Sequence, residues 1–101
     1  MQIEITHHVE TSEPDADGNF AWHYEYDLFR FTEKGLTLVA RSYTSDPEQA
    51  HFLRVESSGR HRMLTPKDLS SALLQEAKRF LGKAGKEEIT WLGMEGYAPL
   101  P

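Results

Sequence analysis

The chain has 101 residues, a length for one domain and one core, and its 39% hydrophobic and 27% charged residues exclude a disordered polypeptide, while its apolar runs are too short to span a bilayer. It has no cysteine, which excludes disulfide staples, thiolate zinc sites and cysteine nucleophiles. The net charge of −5 is uneven: residues 1–33 hold eight acidic groups and one basic (net −7), residues 34–101 eight acidic and ten basic (net +2), so a nucleic-acid partner is not expected, although a local basic patch is allowed.

Taken in chain order, residues 2–9 alternate, with Ile3, Ile5, His7 and Val9 on one parity, which predicts a half-buried strand. This start has neither a basic n-region nor an apolar h-region, so the expected location is cytoplasmic. The segment ETSEPDADGN is rich in turn formers and predicts a loop. Glu13, Asp15, Asp17 and Gly18 fall near the spacing of a calcium loop, but Tyr24 stands where a bidentate Glu is needed.

The segment FAWHYEYDLFRF, residues 20–31, holds six of the eleven aromatic residues and predicts a long second strand. Phe20, Trp22, Tyr24, Tyr26 and Leu28 share one parity, and His23, Glu25 and Asp27 the other. Burying the charged set unpaired would cost several kcal/mol, so the rings are expected to face the core and His23, Glu25 and Asp27 the open side of the sheet. At Leu28–Phe29 the alternation slips by one, so that Phe29 and Phe31 fall out of phase, as a bulge or a strong local twist would require, and Trp22→Ala is expected to abolish folding.

Further strands are expected over LTLVARSY, HFLRVES and HRML, with a turn at TEKG and one short helical turn at TSDPEQA. The stretch from Thr65 to Gly85 predicts an amphipathic helix, with Thr65 as cap, Pro66 at its first position, Leu69, Ala72, Leu73, Ala77 and Phe80 on one stripe, and Gly82 or Gly85 at its end. EEITWL predicts a last strand and GMEGYAPLP an irregular tail, too apolar to stay free in water. The fold class is therefore α+β, an antiparallel β-sheet of four to six strands with one amphipathic C-terminal helix packed on one face, in a single domain over residues 1–101.

No sequence motif names a reaction, so no catalytic residue, metal ligand or cofactor is assigned. The expected function is a non-enzymatic binding or accessory module that meets a protein partner through the open sheet face and the C-terminal tail. Its surface comprises His23, Glu25, Asp27, Val39, Arg41, Tyr43, Phe52, Arg54, Trp91 and Tyr97. No membrane association is expected, and the chain is read as a monomer or weak homodimer. One alternative is a metal- or ligand-binding protein or enzyme using His23, Glu25 and Asp27; a weaker one is single-stranded nucleic-acid binding by stacking on residues 20–31.

Overall fold

Alternation in the N-terminal half builds a four-stranded antiparallel meander in the computed structural model, which describes residues 1–101: β1 (Gln2–Thr11), β2 (His23–Glu33), β3 (Leu36–Tyr43) and β4 (Gln49–Ser57). Two-residue turns close two of its corners: Lys34 and Gly35 join β2 to β3, and Ser58 and Gly59 join β4 to the short β5 (Arg60–Arg62). All four turn residues have φ between 50° and 81°, the hand that matches the twist of the strands they connect.

After β5 the chain makes one turn of helix, α1 (Pro66–Leu69), then α2 (Ala72–Lys83), and returns as β6 (Glu88–Gly93) and β7 (Gly96–Pro99). The α+β class stands. The sheet has seven strands in the order β1-β2-β3-β4-β6-β7, with β5 beside the end of β4. It is mostly antiparallel, but β4 and β6 are parallel, because the helical crossover brings the chain back to the end where β4 began. No helix is long and apolar enough to cross a membrane.

The expected continuous helix is broken at Ser70–Ser71. Ser71 Oγ accepts from the Leu74 N–H at 3.2 Å and so caps a new helix. Asp68 closes α1 instead: its carboxylate accepts from the Thr65 N–H at 2.7 Å and holds Arg62 in a two-pronged pair at 2.8 and 2.9 Å. Arg62 and Thr65 together hold the Asp68 carboxyl down at about 2. At its C-terminus α2 ends in a Schellman turn, with Lys86 N–H on Leu81 C=O and Gly85 N–H on Gly82 C=O. The segment TSDPEQA forms turns, not a helix, with Asp46 N–H on Tyr43 C=O and Gln49 N–H on Asp46 C=O.

Helix α2 places Leu74, Ala77 and Leu81 on Phe29, Phe31, Leu38, Ala40 and Phe52. Phe31 and Phe52 are fully buried, which contributes roughly 2 to 3 kcal/mol each. This corrects the parity of the second strand. Its register against both neighbours runs without interruption, Thr6 facing Leu28 and Ile5 facing Phe29 on one side, Leu28 facing Arg41 and Phe29 facing Ala40 on the other. No slip occurs at Leu28–Phe29. The odd residues from His23 to Phe31 therefore share the helix side, and Tyr24, Tyr26 and Leu28 face the open side.

The one slip in the sheet lies in β4. Val39 faces Arg54 and Ala40 faces Phe52, so Leu53 is an extra residue. In unbroken register Phe52 would stand opposite Arg41 on the open face. The bulge turns Phe52 into the core and brings His51 opposite Arg41. Trp91 follows Phe52, its partner across the parallel pair, and packs against the core. Phe52 and Trp91 thus leave the expected partner surface.

A candidate binding platform on the open sheet face

The upper half of the open face is built by alternate residues of five strands: His8 from β1, Tyr24 and Tyr26 from β2, Arg41 and Tyr43 from β3, His51 from β4 and Tyr97 from β7. Their side chains form one connected layer. Trp22 and Tyr24 stack with ring centres 5.6 Å apart, Tyr24 meets Tyr43 at 6.0 Å, Tyr43 meets Tyr26 edge-on at 5.9 Å, and His8 stacks on Tyr26 at 5.3 Å. Contacts of this geometry add about 0.5 to 1.5 kcal/mol each beyond the area they bury.

Arg41 sits at the centre. Its guanidinium lies 4.7 Å from the Tyr43 ring centre and 5.9 Å from that of Tyr26, and its Nη2 donates to Tyr97 Oη at 3.2 Å. Its Nε is buried without a hydrogen-bond partner. The Tyr97 ring packs on His51 at 5.2 Å, and His51 Nδ1 is hydrogen-bonded to Thr90 Oγ1. Burial, and after it the Arg41 charge, push the His51 pKa below its ordinary 6.5, so this ring is neutral at pH 7. The platform therefore carries one fixed cation among rings. Its acidic rim is Glu10, which accepts from the Tyr26 hydroxyl at 2.8 Å and pushes the Tyr26 pKa up.

The lower half of the same face is polar. Arg30 pairs with Glu56, and Arg54 Nε donates to Glu56 at 3.0 Å. Burial alone would raise the Glu56 pKa, but the two guanidinium groups hold it below the ordinary value. Val39 lies between Arg30 and Arg54 in register and is fully buried, so it offers no apolar patch.

His23, Glu25 and Asp27 lie on the helix side of β2, beyond the reach of α2. His7, opposite Asp27 on β1, takes the place expected for His23: its Nδ1–H donates to Asp27 Oδ1 at 2.7 Å, and Nε2 lies 3.3 Å from Glu25 Oε2. The bond to Asp27 leads in raising the His7 pKa, with both carboxylate charges adding to it. Both ring nitrogens of His7 are thus turned to carboxylates. The His23 ring turns toward Phe20, 6.3 Å away, and no three His, Asp or Glu side chains in the chain converge as a metal site would require.

The acidic loop is closed by two of its own side chains. Asp15 Oδ1 accepts from the Asp17 and Asn19 N–H groups at 2.9 Å each, and Ser12 Oγ accepts from the Ala21 N–H at 2.8 Å. The segment expected as an irregular tail is an ordered hairpin on its own domain: β7 pairs with β6, Leu100 N–H donates to Ile89 C=O at 3.0 Å, and Lys78 Nζ donates to the Pro101 carbonyl oxygen at 2.9 Å. Sequence reasoning missed Trp22, Tyr24, Tyr26 and His51 as open-face residues. The even parity of the first three was visible, whereas the bulge that exposes His51 had no signal. Comparison with protein-family models, with curated proteins and with solved structures finds no match to this chain.

Proposed function

We propose that the protein is a non-enzymatic binding module whose contact surface is the aromatic platform around Arg41, and that its partner is a protein segment. The observation that carries this reading is the exposure of Trp22, Tyr24 and Tyr97, at 45%, 48% and 52%, on a sheet face that no other element covers. Tyrosine, tryptophan and arginine are the side chains that anchor protein contacts, because each combines a large apolar area with a polar tip and few rotatable bonds. A carboxylate on the partner would find Arg41, while apolar side chains would lie along Tyr24, Tyr43 and Tyr97. The C-terminal hairpin takes part through Tyr97. The module would work in the cytoplasm.

The acidic surroundings disfavour a nucleic-acid backbone, with Glu10 at the rim and Glu25 and Asp27 on the strand's other side. The test is affinity capture with the wild-type chain beside Tyr43→Ala and Arg41→Ala variants. A protein held by the wild type and released by both variants is the expected result. A captured set unchanged by either variant, or a mixed-sequence oligonucleotide that shifts the Trp22 fluorescence, would overturn the proposal.

A further inference from the structure

The two edges of the sheet are built differently. The β7 edge is four residues long and contains Pro99, with Pro101 just beyond it, devices that prevent strand addition. The β1 edge is ten residues long, with no proline, glycine, lysine or arginine, and it pairs only with β2. Ser12 N–H donates to Trp22 C=O at 3.0 Å, and Ser12 stands opposite Trp22 in continuation of the β1–β2 register. Antiparallel ladders alternate, so the even residues of β1 bond to β2, and the N–H and C=O groups of Ile3, Ile5, His7 and Val9 point outward. The side chains of Ile5 and Val9 are also open to solvent, at 52% and 54% exposure, since α2 does not reach them.

We infer that β1 pairs antiparallel with β1 of a second copy, about a two-fold axis at Thr6, to make one continuous sheet across a homodimer. The strand is self-complementary in this register. Ile3 meets Val9 and Ile5 meets His7 of the other copy on the helix side; Glu4 meets His8, Gln2 meets Glu10 and Thr6 meets its own counterpart on the open side. Shifting the register by one pleat in one direction sets Glu4 against Glu10. Two pleats in the other direction set Glu4 against its own counterpart. The Thr6-centred register uses the whole strand and sets the Glu4 carboxylate opposite the His8 ring, whose N–H can donate to it, where directly facing side chains interact most strongly. The ladder gains up to about eight backbone hydrogen bonds, two for each outward-facing pair. Both copies of α2 then lie on the same face of the joined sheet, and both aromatic platforms on the other.

Sedimentation equilibrium of the full chain over a concentration series tests this. The wild type is expected to populate a dimer. Ile5→Pro removes an outward-pointing N–H and leaves the β1–β2 ladder intact, so it should lower the association constant at least about tenfold with an unchanged far-UV spectrum. Glu4→Lys alone and His8→Glu alone should each weaken the dimer, and the double variant should recover it, because a carboxylate and an ammonium group then face each other. A wild type that stays monomeric at millimolar concentration, a dimer that Ile5→Pro leaves unchanged, or a double variant as weak as the sum of its single changes would overturn the inference.

Discussion

The two faces of one sheet carry aromatic rings of opposite fate. Under α2, Phe29, Phe31 and Phe52 are at most 4% exposed; on the other face Trp22 and Tyr24 keep almost half of their surface in water. The ring types differ accordingly. Phenylalanine has no polar atom to satisfy and fills the face a helix can cover, whereas Trp22 and Tyr24 keep an indole N–H and a hydroxyl at a surface that stays open. An aromatic run in a strand is therefore divided by what lies above each face.

The largest effect expected from this contrast separates Phe31 from Trp22. Phe31→Ala removes a fully buried ring and should destabilise the fold by about 3 to 5 kcal/mol in urea titrations. Trp22→Ala should leave a folded protein within about 1 kcal/mol of the wild type, contrary to the expectation drawn from sequence. Equal losses at the two positions would erase the distinction between the faces.

The next effect sharpens the covered face at its far edge. A Cβ at Gly93 would lie 2.6 Å from the Trp91 ring, so Gly93→Ala must displace the indole from the core edge, at about 1 to 3 kcal/mol. The Trp91 emission maximum should move to the red in the same variant. A smaller change is expected at the entrance to the helical crossover. Asp68→Asn loses the ion pair with the half-exposed Arg62 and weakens the α1 cap, for about 1 to 2 kcal/mol. Because the folded pKa of Asp68, about 2, lies below the ordinary 3.8, its contribution is present above pH 3.8 and is lost as pH falls toward 2. Urea midpoints between pH 5 and pH 2 should therefore converge for the wild type and the variant.

The smallest effect contrasts two histidines. His7, held between Asp27 and Glu25, should titrate above 6.5 in an NMR pH series, and His51 below it. The signs are opposite. The His7 contribution is present below pH 6.5 and is lost as pH rises through its folded pKa, whereas desolvation of His51 begins to oppose folding as pH falls through 6.5. Reversed order of the two titrations would contradict the environments assigned to them.

Much of this architecture was legible in the chain. The strands through Ile3, Leu36 and Phe52 and the helix carrying the Leu-Ala stripe follow from alternation, turn residues and that stripe, whereas the break at Ser70–Ser71, which leaves Thr65 capping a single turn, does not. The face assignment of β2 was misread for a physical reason. His23, Glu25 and Asp27 share the parity of the core residues Phe29 and Phe31, but they lie past the end of α2, so the burial penalty that argued against this parity never arises. The bulge at Leu53 left no local mark, because Leu53 carries neither the glycine nor the turn chemistry that announces an irregularity. That single extra residue moves Phe52 inward and His51 outward, and so decides which side chains surround Arg41. The parallel pairing of β4 and β6, which sends Trp91 inward, depends on where the crossover lands.

The exposure of the platform can be read directly by proton NMR with a soluble gadolinium chelate. The ring protons of Tyr24, Tyr43 and Tyr97 should broaden strongly, and those of Phe29, Phe31 and Phe52 should stay sharp. Protected tyrosines beside broadened phenylalanines would contradict the assignment of the two faces, and with it the proposal that the open one binds.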